Sequence, residues 1–379
     1  MNSETRYLSR ERTSSALCGA FDASVWIAFL LEFDVTLYYA VSMVLKIIVV
    51  GLHGSPRCPR PIFVAFVAAV IFAEIASVMS GWSDLPSLSV VLPFAISVGV
   101  TLSIVDKIGL MTYLRWFAGS IFVSILAFLG MWATGHLVQQ WGRWLYLGWS
   151  QPNLGGEIVF AGTVAAALCL PARSWFLWVY LLLAIWVVTL LQARAALVAV
   201  MIVSALTLYK GFFSGLGLAV RVLAIMSVVL GVVILFLATN GSDLFVSALQ
   251  LDDENRGVGT GFVGRDERWG YAWNAFMASP LFGVGFGYFR DAARLDLSPH
   301  NFVMHMLAEM GMLSLVCATS LVYGAYKLTA ANRGVALICA SAIVLTVFND
   351  RFINLNPYPF ILYVILFLRS EAWREVEIR

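Results

Sequence analysis

The sequence predicts an all-α polytopic membrane protein. Three observations predict it. Of 379 residues, 61% are hydrophobic and 12% charged, whereas a soluble domain is nearer half apolar and about a quarter charged. Mean hydropathy is +0.86. Apolar runs of 16–24 residues recur along the chain, and about 20 such residues cross a bilayer as a helix. The net charge of +2 carries no nucleic-acid signal. Cys18, Cys58, Cys169, Cys317 and Cys339 are odd in number and scattered, so they form neither a disulfide framework nor a metal-ligand spacing.

About twelve spans are expected, over residues 15–31, 35–51, 62–80, 87–105, 111–134, 156–171, 174–191, 194–209, 216–239, 301–326, 334–348 and 357–369. Arg6, Arg10 and Arg12 precede the first run with no clear cleavage site after it, so it reads as a retained helix. The first two spans depend on a turn at Glu32–Asp34; a single helix over residues 23–50 is the alternative. Basic residues in short loops favour the cytoplasmic side. Twelve spans with the N-terminus inside put Lys46, Lys107, Lys210 and Lys327 at cytoplasmic ends or loops. The loop 135–155, Arg194, the polar interruption 240–299, His300 and the Asn349–Asp350 turn then share the external side. That side holds arginines but no lysine, among them Arg143, Arg194, Arg265 and Arg268. Guanidinium forks grip phosphate in a bidentate way; salt bridging to nearby acids is the plainer use.

Three units follow: an N-terminal bundle of about nine helices over residues 1–239, an external loop over 240–299, and C-terminal helices over 300–379. Within the loop, 240–264 is polar and Gly-rich, and 265–279 reads as a helix. Trp269, Ala272, Trp273 and Phe276 recur at i, i+3, i+4 and i+7, an apolar stripe suited to the bilayer surface. Pro280 ends that helix, and Gly283, Gly285 and Gly287 give a turn whose amides could face an anion or simply close tightly.

His300 stands where the loop enters the next helix. Imidazole suits a general base on a hydroxyl, and a helix cap is its structural alternative. His300 and His305 are five apart, so they do not share a face as metal ligands at i, i+4 would. A charge deep in a bilayer costs about 2.5–3.5 kcal/mol. Arg194, in LLQARAALVAV, therefore reads either as an interfacial snorkelling residue or as a ligand to a lipid phosphate. Glu309 lies nine residues beyond His300, either buried and paired or facing substrate. Glu32 and Asp34 could hold a divalent metal or mark a turn.

Taken together these stretches resemble the O-antigen ligase and polymerase superfamily of bacterial envelope glycosyltransferases. LLQARAALVAV resembles the family's arginine-bearing helix start. GRDERWGYAWNAFMASPLFGVG is similar to its Gly-Arg, Trp, Pro-Leu-x-Gly-x-Gly motif at Arg265, Trp269, Pro280, Gly283 and Gly285. HNFVMHMLAEMGMLS resembles its His-Asn, nine residues, Gly signature at His300, Asn301 and Gly311, with Ser314 where the ligases usually have Thr. QPNLGG, with Asn153, resembles a weaker family stretch.

The resemblance implies a GT-C-like enzyme of the bacterial inner membrane, both termini cytoplasmic and its site periplasmic. It implies no cofactor, no metal and no nucleotide. The donor would be a glycan on undecaprenyl diphosphate, held by Arg194 and Arg265. His300 would orient or deprotonate the acceptor hydroxyl, with Arg268, Asn301, Glu309 and Asn153 as further substrate contacts. The acceptor would be a growing glycan in a polymerase, the reading favoured by the short loop after Pro280, or lipid A core in a ligase. Membrane lipids and a chain-length regulator are the partners implied. A transporter of lipid-linked glycans is the competing class, yet the sequence has no internal repeat and its charges cluster on one side.

Overall fold

A computed structural model describes residues 3–31, 34–53, 60–81, 88–105, 107–140, 143–147, 152–213, 215–217, 220, 265–286, 288–290, 298–348 and 357–374. Nearly all of the expected span 216–239, the loop portion 240–264, Glu32 and the Asn349–Asp350 turn lie outside them. The first half builds α1 (Ser3–Ala23), α2 (Trp26–Leu30), α3 (Val35–His53), α4 (Pro61–Met79), α5 (Leu88–Ile104), α6 (Lys107–Ala133), α7 (Pro152–Cys169), α8 (Trp175–Leu190) and α9 (Arg194–Leu208). A π turn, Tyr209–Phe213, extends α9. The second half builds α10 (Arg265–Ala278), α11 (Phe302–Met310), α12 (Ser314–Ala331), α13 (Arg333–Ala340), α14 (Ala342–Phe348), α15 (Pro357–Phe367) and α16 (Ser370–Arg374). Among the described residues four helical stretches are long and apolar enough to cross a membrane: Pro61–Met79, Gly109–Ala133, Arg194–Phe213 and Phe302–Ala331.

α7 is the central post. It is buried all round from Leu154 to Cys169 and packs against α6, α8, α9 and α15. Its small residues permit this, since a Cβ on Gly162 would lie 2.3 Å from the Tyr180 hydroxyl oxygen. Close backbone approach through small residues is how membrane helices pack.

The all-α expectation needs one amendment. Within the loop 135–155 a two-stranded antiparallel hairpin pairs β1 (Gln139–Gln140) with β2 (Arg143–Trp144). Tyr146 pins it to α6, its hydroxyl 2.6 Å from Ser124 Oγ and its ring stacked 5.3 Å from Phe128. Burial pushes that phenol well above its ordinary range.

The N-terminal helices form a hairpin rather than one helix over 23–50. The chain turns at Ser24, and α3 starts afresh behind Asp34, whose Oδ1 accepts from Leu37 N at 2.9 Å. Asp34 is thus a helix cap, which is the turn reading of that residue. Lys46 corrects the topology argument. It is wholly buried in α3, paired with Asp22 of α1, and donates to Ser97 Oγ at 2.6 Å and Thr101 Oγ1 at 3.1 Å on α5. Asp22 Oδ2 also accepts from Thr101 and from Tyr113, each at 3.1 Å. A lysine with this many internal acceptors needs no aqueous loop, so it says nothing about sidedness.

Candidate functional site

The span expected over 301–326 is a broken helix, and the break explains a motif. Asn301 caps α11, its side chain accepting from Val303 N at 3.0 Å and Met304 N at 3.1 Å. That cap satisfies amides the helix start leaves open. α11 runs to Met310 and stops at Gly311, whose φ of 57° suits glycine. Into the break docks the turn that follows α10. Met312 N donates to Pro280 O at 2.8 Å, Val284 N to Ala308 O at 2.9 Å and Gly285 N to Glu309 O at 3.1 Å. A Cβ on Gly283 would sit 2.2 Å from the Glu309 carbonyl carbon, and one on Gly311 2.5 Å from Pro280 O.

The glycine turn is therefore a latch. Its amides serve α11 carbonyls, and Phe286 N donates to the buried Glu74 carboxylate of α4 at 2.7 Å. The Val284 and Gly285 amides close tightly on backbone carbonyls, while the Phe286 amide does face an anion, the carboxylate of Glu74 within the same chain. On α4, Ser77 Oγ adds a bond to Gly283 O at 3.1 Å.

His300 heads this assembly. It is half-buried with φ of 45°, a left-handed conformation that costs about 1–3 kcal/mol away from glycine and collects at functional sites. Beside it, Trp269 of α10 fastens the preceding residue, its Nε1 donating to Pro299 O at 3.0 Å. α10 lies along α11, burying Ala272 and Ala275 against Val284, Phe289 and Ala308. Of the stripe expected from the sequence, Ala272 is buried, Trp269 and Phe276 are half-buried and Trp273 is exposed. The face buried against α11 is made of small residues, which let the helices approach, while Trp273 is exposed with Tyr271 and Met277.

Arg265 opens α10 one turn before Trp269, so its backbone is brought near the His300 segment. Arg268 is half-buried on the same turn. His305 and Glu309 point the other way, into the core. His305 Nε2 lies 3.1 Å from Glu309 Oε1, and the imidazole sits tilted by 50° against the Phe289 ring, centroids 5.3 Å apart. Glu309 is 1% exposed, which is the buried-and-paired alternative for this residue.

Arg194 is half-buried at the first position of α9. The turn before it is a Schellman closure of α8. Gln192 takes φ of 52°, Gln192 N donates to Thr189 O at 2.9 Å, and Ala193 N to Val188 O at 3.3 Å. Arg143, 4% exposed, braces this turn. Its Nε and Nη2 donate to Leu191 O at 3.2 and 3.0 Å, and Nη2 also reaches Gln192 O at 3.0 Å and Asn153 Oδ1 at 2.9 Å. QPNLGG gains a purpose here. Asn153 receives Arg143, and Gly155 and Gly156 admit the turn: a Cβ on Gly155 would meet Tyr146 at 2.4 Å, and one on Gly156 would meet Ala193 at 2.7 Å. Packing links the two halves, because α14 contacts both α9 and α11.

Residues 179–319, from mid-α8 into α12, match the family described as O-antigen ligase. The chain carries a domain of that family. No curated protein matches it. The O-antigen ligase segment takes in Arg194, Arg265, the latch turn and His300, so each motif just described except QPNLGG falls inside it. Arg143 and Glu74, which also build the site, lie outside that segment. Sequence reasoning singled out neither for the site, although Glu74, an acid within an apolar run, carried a signal.

Proposed function

We propose that this membrane protein transfers a glycan from undecaprenyl diphosphate to a sugar hydroxyl on the periplasmic face of the bacterial inner membrane. The observation that carries the reading is His300: a half-buried imidazole on a left-handed backbone at the head of a capped helix, next to the Pro299 that Trp269 fastens, within a matched O-antigen ligase segment.

In this reading His300 accepts the proton of the acceptor hydroxyl as its oxygen attacks the anomeric carbon. The bond from that carbon to the diphosphate oxygen breaks, with inversion. Charge builds on the departing diphosphate, and Arg194 and Arg265 hold it through bidentate bonds. A lipid diphosphate is already a good leaving group, so positioning and charge stabilisation supply much of the acceleration without a metal. Arg268 is a further contact to the donor. Asn301 and Asn153 act through the cap and the brace they form, and Glu309 acts from the core. α10 lies on the periplasmic side, with the exposed Tyr271, Trp273 and Met277 against the bilayer surface.

The acceptor is a growing chain of the same glycan, which makes the protein a polymerase that a chain-length regulator can attend. Purified protein incubated with a lipid-linked repeat unit alone then yields laddered products. A reaction that starts only when lipid A core is added makes it a ligase instead. His300→Ala abolishes either product with folded yield intact, and full activity in that variant removes the base assignment.

A further inference from the structure

Arg143 touches no reacting group in the reaction just proposed, and nothing in its sequence surroundings marks it beyond its place on a lysine-free side. Its setting is nonetheless specific. It projects from β2 of a hairpin whose register pairs it with Gln140 and which Tyr146 anchors to α6. From there its guanidinium reaches two carbonyls that the Schellman closure of α8 leaves open, at Leu191 and Gln192, and the side chain of Asn153 on α7. One planar fork thus joins the hairpin, the central post and the α8–α9 turn. A lysine ammonium, a point charge on a flexible stem, does not reproduce that fork. The positive charge also suits the C-terminal end of α8, where the helix dipole is negative. Residue 194 follows the second of those carbonyls by two positions. Arg194 begins its helix behind Ala193, which supplies no side-chain cap, so the direction in which it leaves the turn depends on how the turn is held from behind.

We propose that Arg143 is the positioning residue of the diphosphate grip: it fixes the left-handed turn at Gln192 and thereby aims Arg194 at the leaving group. This rests on the reading that Arg194 binds diphosphate. Asn153 belongs to the same device, as the acceptor that orients Arg143. The pair explains why a motif with no reacting group, QPNLGG, accompanies the arginine-bearing helix start.

The test is a double-variant cycle on the full chain in lipid nanodiscs, with undecaprenyl diphosphate as the probe and binding followed by tryptophan fluorescence. Arg143→Gln weakens binding roughly 10-fold or more, since small misplacements of a binding group are costly. In an Arg194→Gln background the same change has less than about a 2-fold effect, because nothing is left to aim. Arg143→Lys falls between Arg143→Gln and wild type. A loss of equal size in both backgrounds, or no loss at all, overturns the proposal. Amide hydrogen exchange of the 188–197 segment without ligand gives a second readout: Arg143→Gln raises exchange at Gln192 and Ala193, whose amides make the Schellman bonds. Unchanged exchange with wild-type binding intact overturns the positioning role alone. A wild type that binds no undecaprenyl diphosphate overturns the donor reading, and the proposed aim of Arg194 with it.

Discussion

Replacing Lys46 by methionine tests what the Asp22–Lys46 pair contributes to the bundle. Both side chains are fully buried, and the ammonium is met by Asp22, Ser97 and Thr101. Methionine keeps most of the volume and the apolar stem but leaves the Asp22 carboxylate with only the Thr101 and Tyr113 hydroxyls from this network. Breaking a buried ion pair by removing one partner costs about 3–5 kcal/mol, because the other charge stays buried without its countercharge. Loss of the 5.5 Å contact between Lys46 Nζ and the Phe360 ring adds about 0.5–2 kcal/mol. Replacing both members by neutral groups of similar volume is close to neutral in other buried pairs. Asp22→Asn with Lys46→Met therefore recovers at least half of the single-variant loss. Thermal unfolding of purified protein in detergent, followed by tryptophan fluorescence, reads the order: wild type and double variant close together, both single variants well below. A Lys46→Met protein as stable as wild type, or a double variant as poor as the two singles combined, refutes the reasoning.

The latch predicts a contrast between glycines. Gly283→Ala meets the Glu309 backbone at 2.2 Å with φ of 74° and sharply lowers folded yield, whereas Gly270→Ala, with nothing within 4 Å in α10, gains about 0.5–1 kcal/mol of helix propensity; equal melting temperatures for the two variants would defeat the latch. Trp269→Phe keeps an aromatic ring but loses the indole N–H that bonds Pro299 O; the lost bond costs about 0.5–1.5 kcal/mol of stability, and turnover falls through the neighbouring His300. Unchanged turnover in a glycan-transfer assay rules that link out. Glu309→Gln weakens the buried pair with His305 and shows as a lower melting temperature with KM for the donor unchanged; a raised KM at wild-type stability would return Glu309 to the substrate.

How far the sequence could be read depended on which force set each element. Hydropathy located the helices because burial in lipid or protein fixes them locally, and α4, α6 and α9 begin within a few residues of the expected points. It could not find the break at Gly311, because the run from Phe302 to Ala331 stays apolar across it. The interruption comes from a turn more than twenty residues upstream that supplies Pro280 O to Met312 N. The same holds for Lys46. Counting basic residues treats each as a solvated charge, and only the tertiary approach of α1, α3 and α5 makes this one an interior group. The hairpin carrying Arg143 escaped because β1 and β2 are two residues each, too short for any period-2 pattern. Of the proposed site, His300 was legible because helix starts have local signatures. The bond next to it, from Trp269 to Pro299, joins residues thirty apart and has none.

The two longest motif matches, separate in sequence, form one interlocked body. The Pro-Leu-x-Gly-x-Gly turn is shaped to enter the gap that ends the His-Asn helix, and Gly283 and Gly311 each stand where the other segment's backbone passes. The nine residues between Asn301 and Gly311 are then a length constraint. They set the distance from the cap that heads α11 to the break where the latch closes, and α10 spans that distance alongside, from Trp269 at Pro299 to Pro280 at Met312. Inserting one residue in α11 rotates its later side chains by about 100° and moves the Ala308 and Glu309 carbonyls off the latch amides. A spacing rule of this kind needs no contact with substrate at Gly283, Gly285 or Gly311. It keeps His300 at a fixed height and angle over α10, the helix that Arg265 opens, and that fixed relation is what a reaction depending on positioning requires.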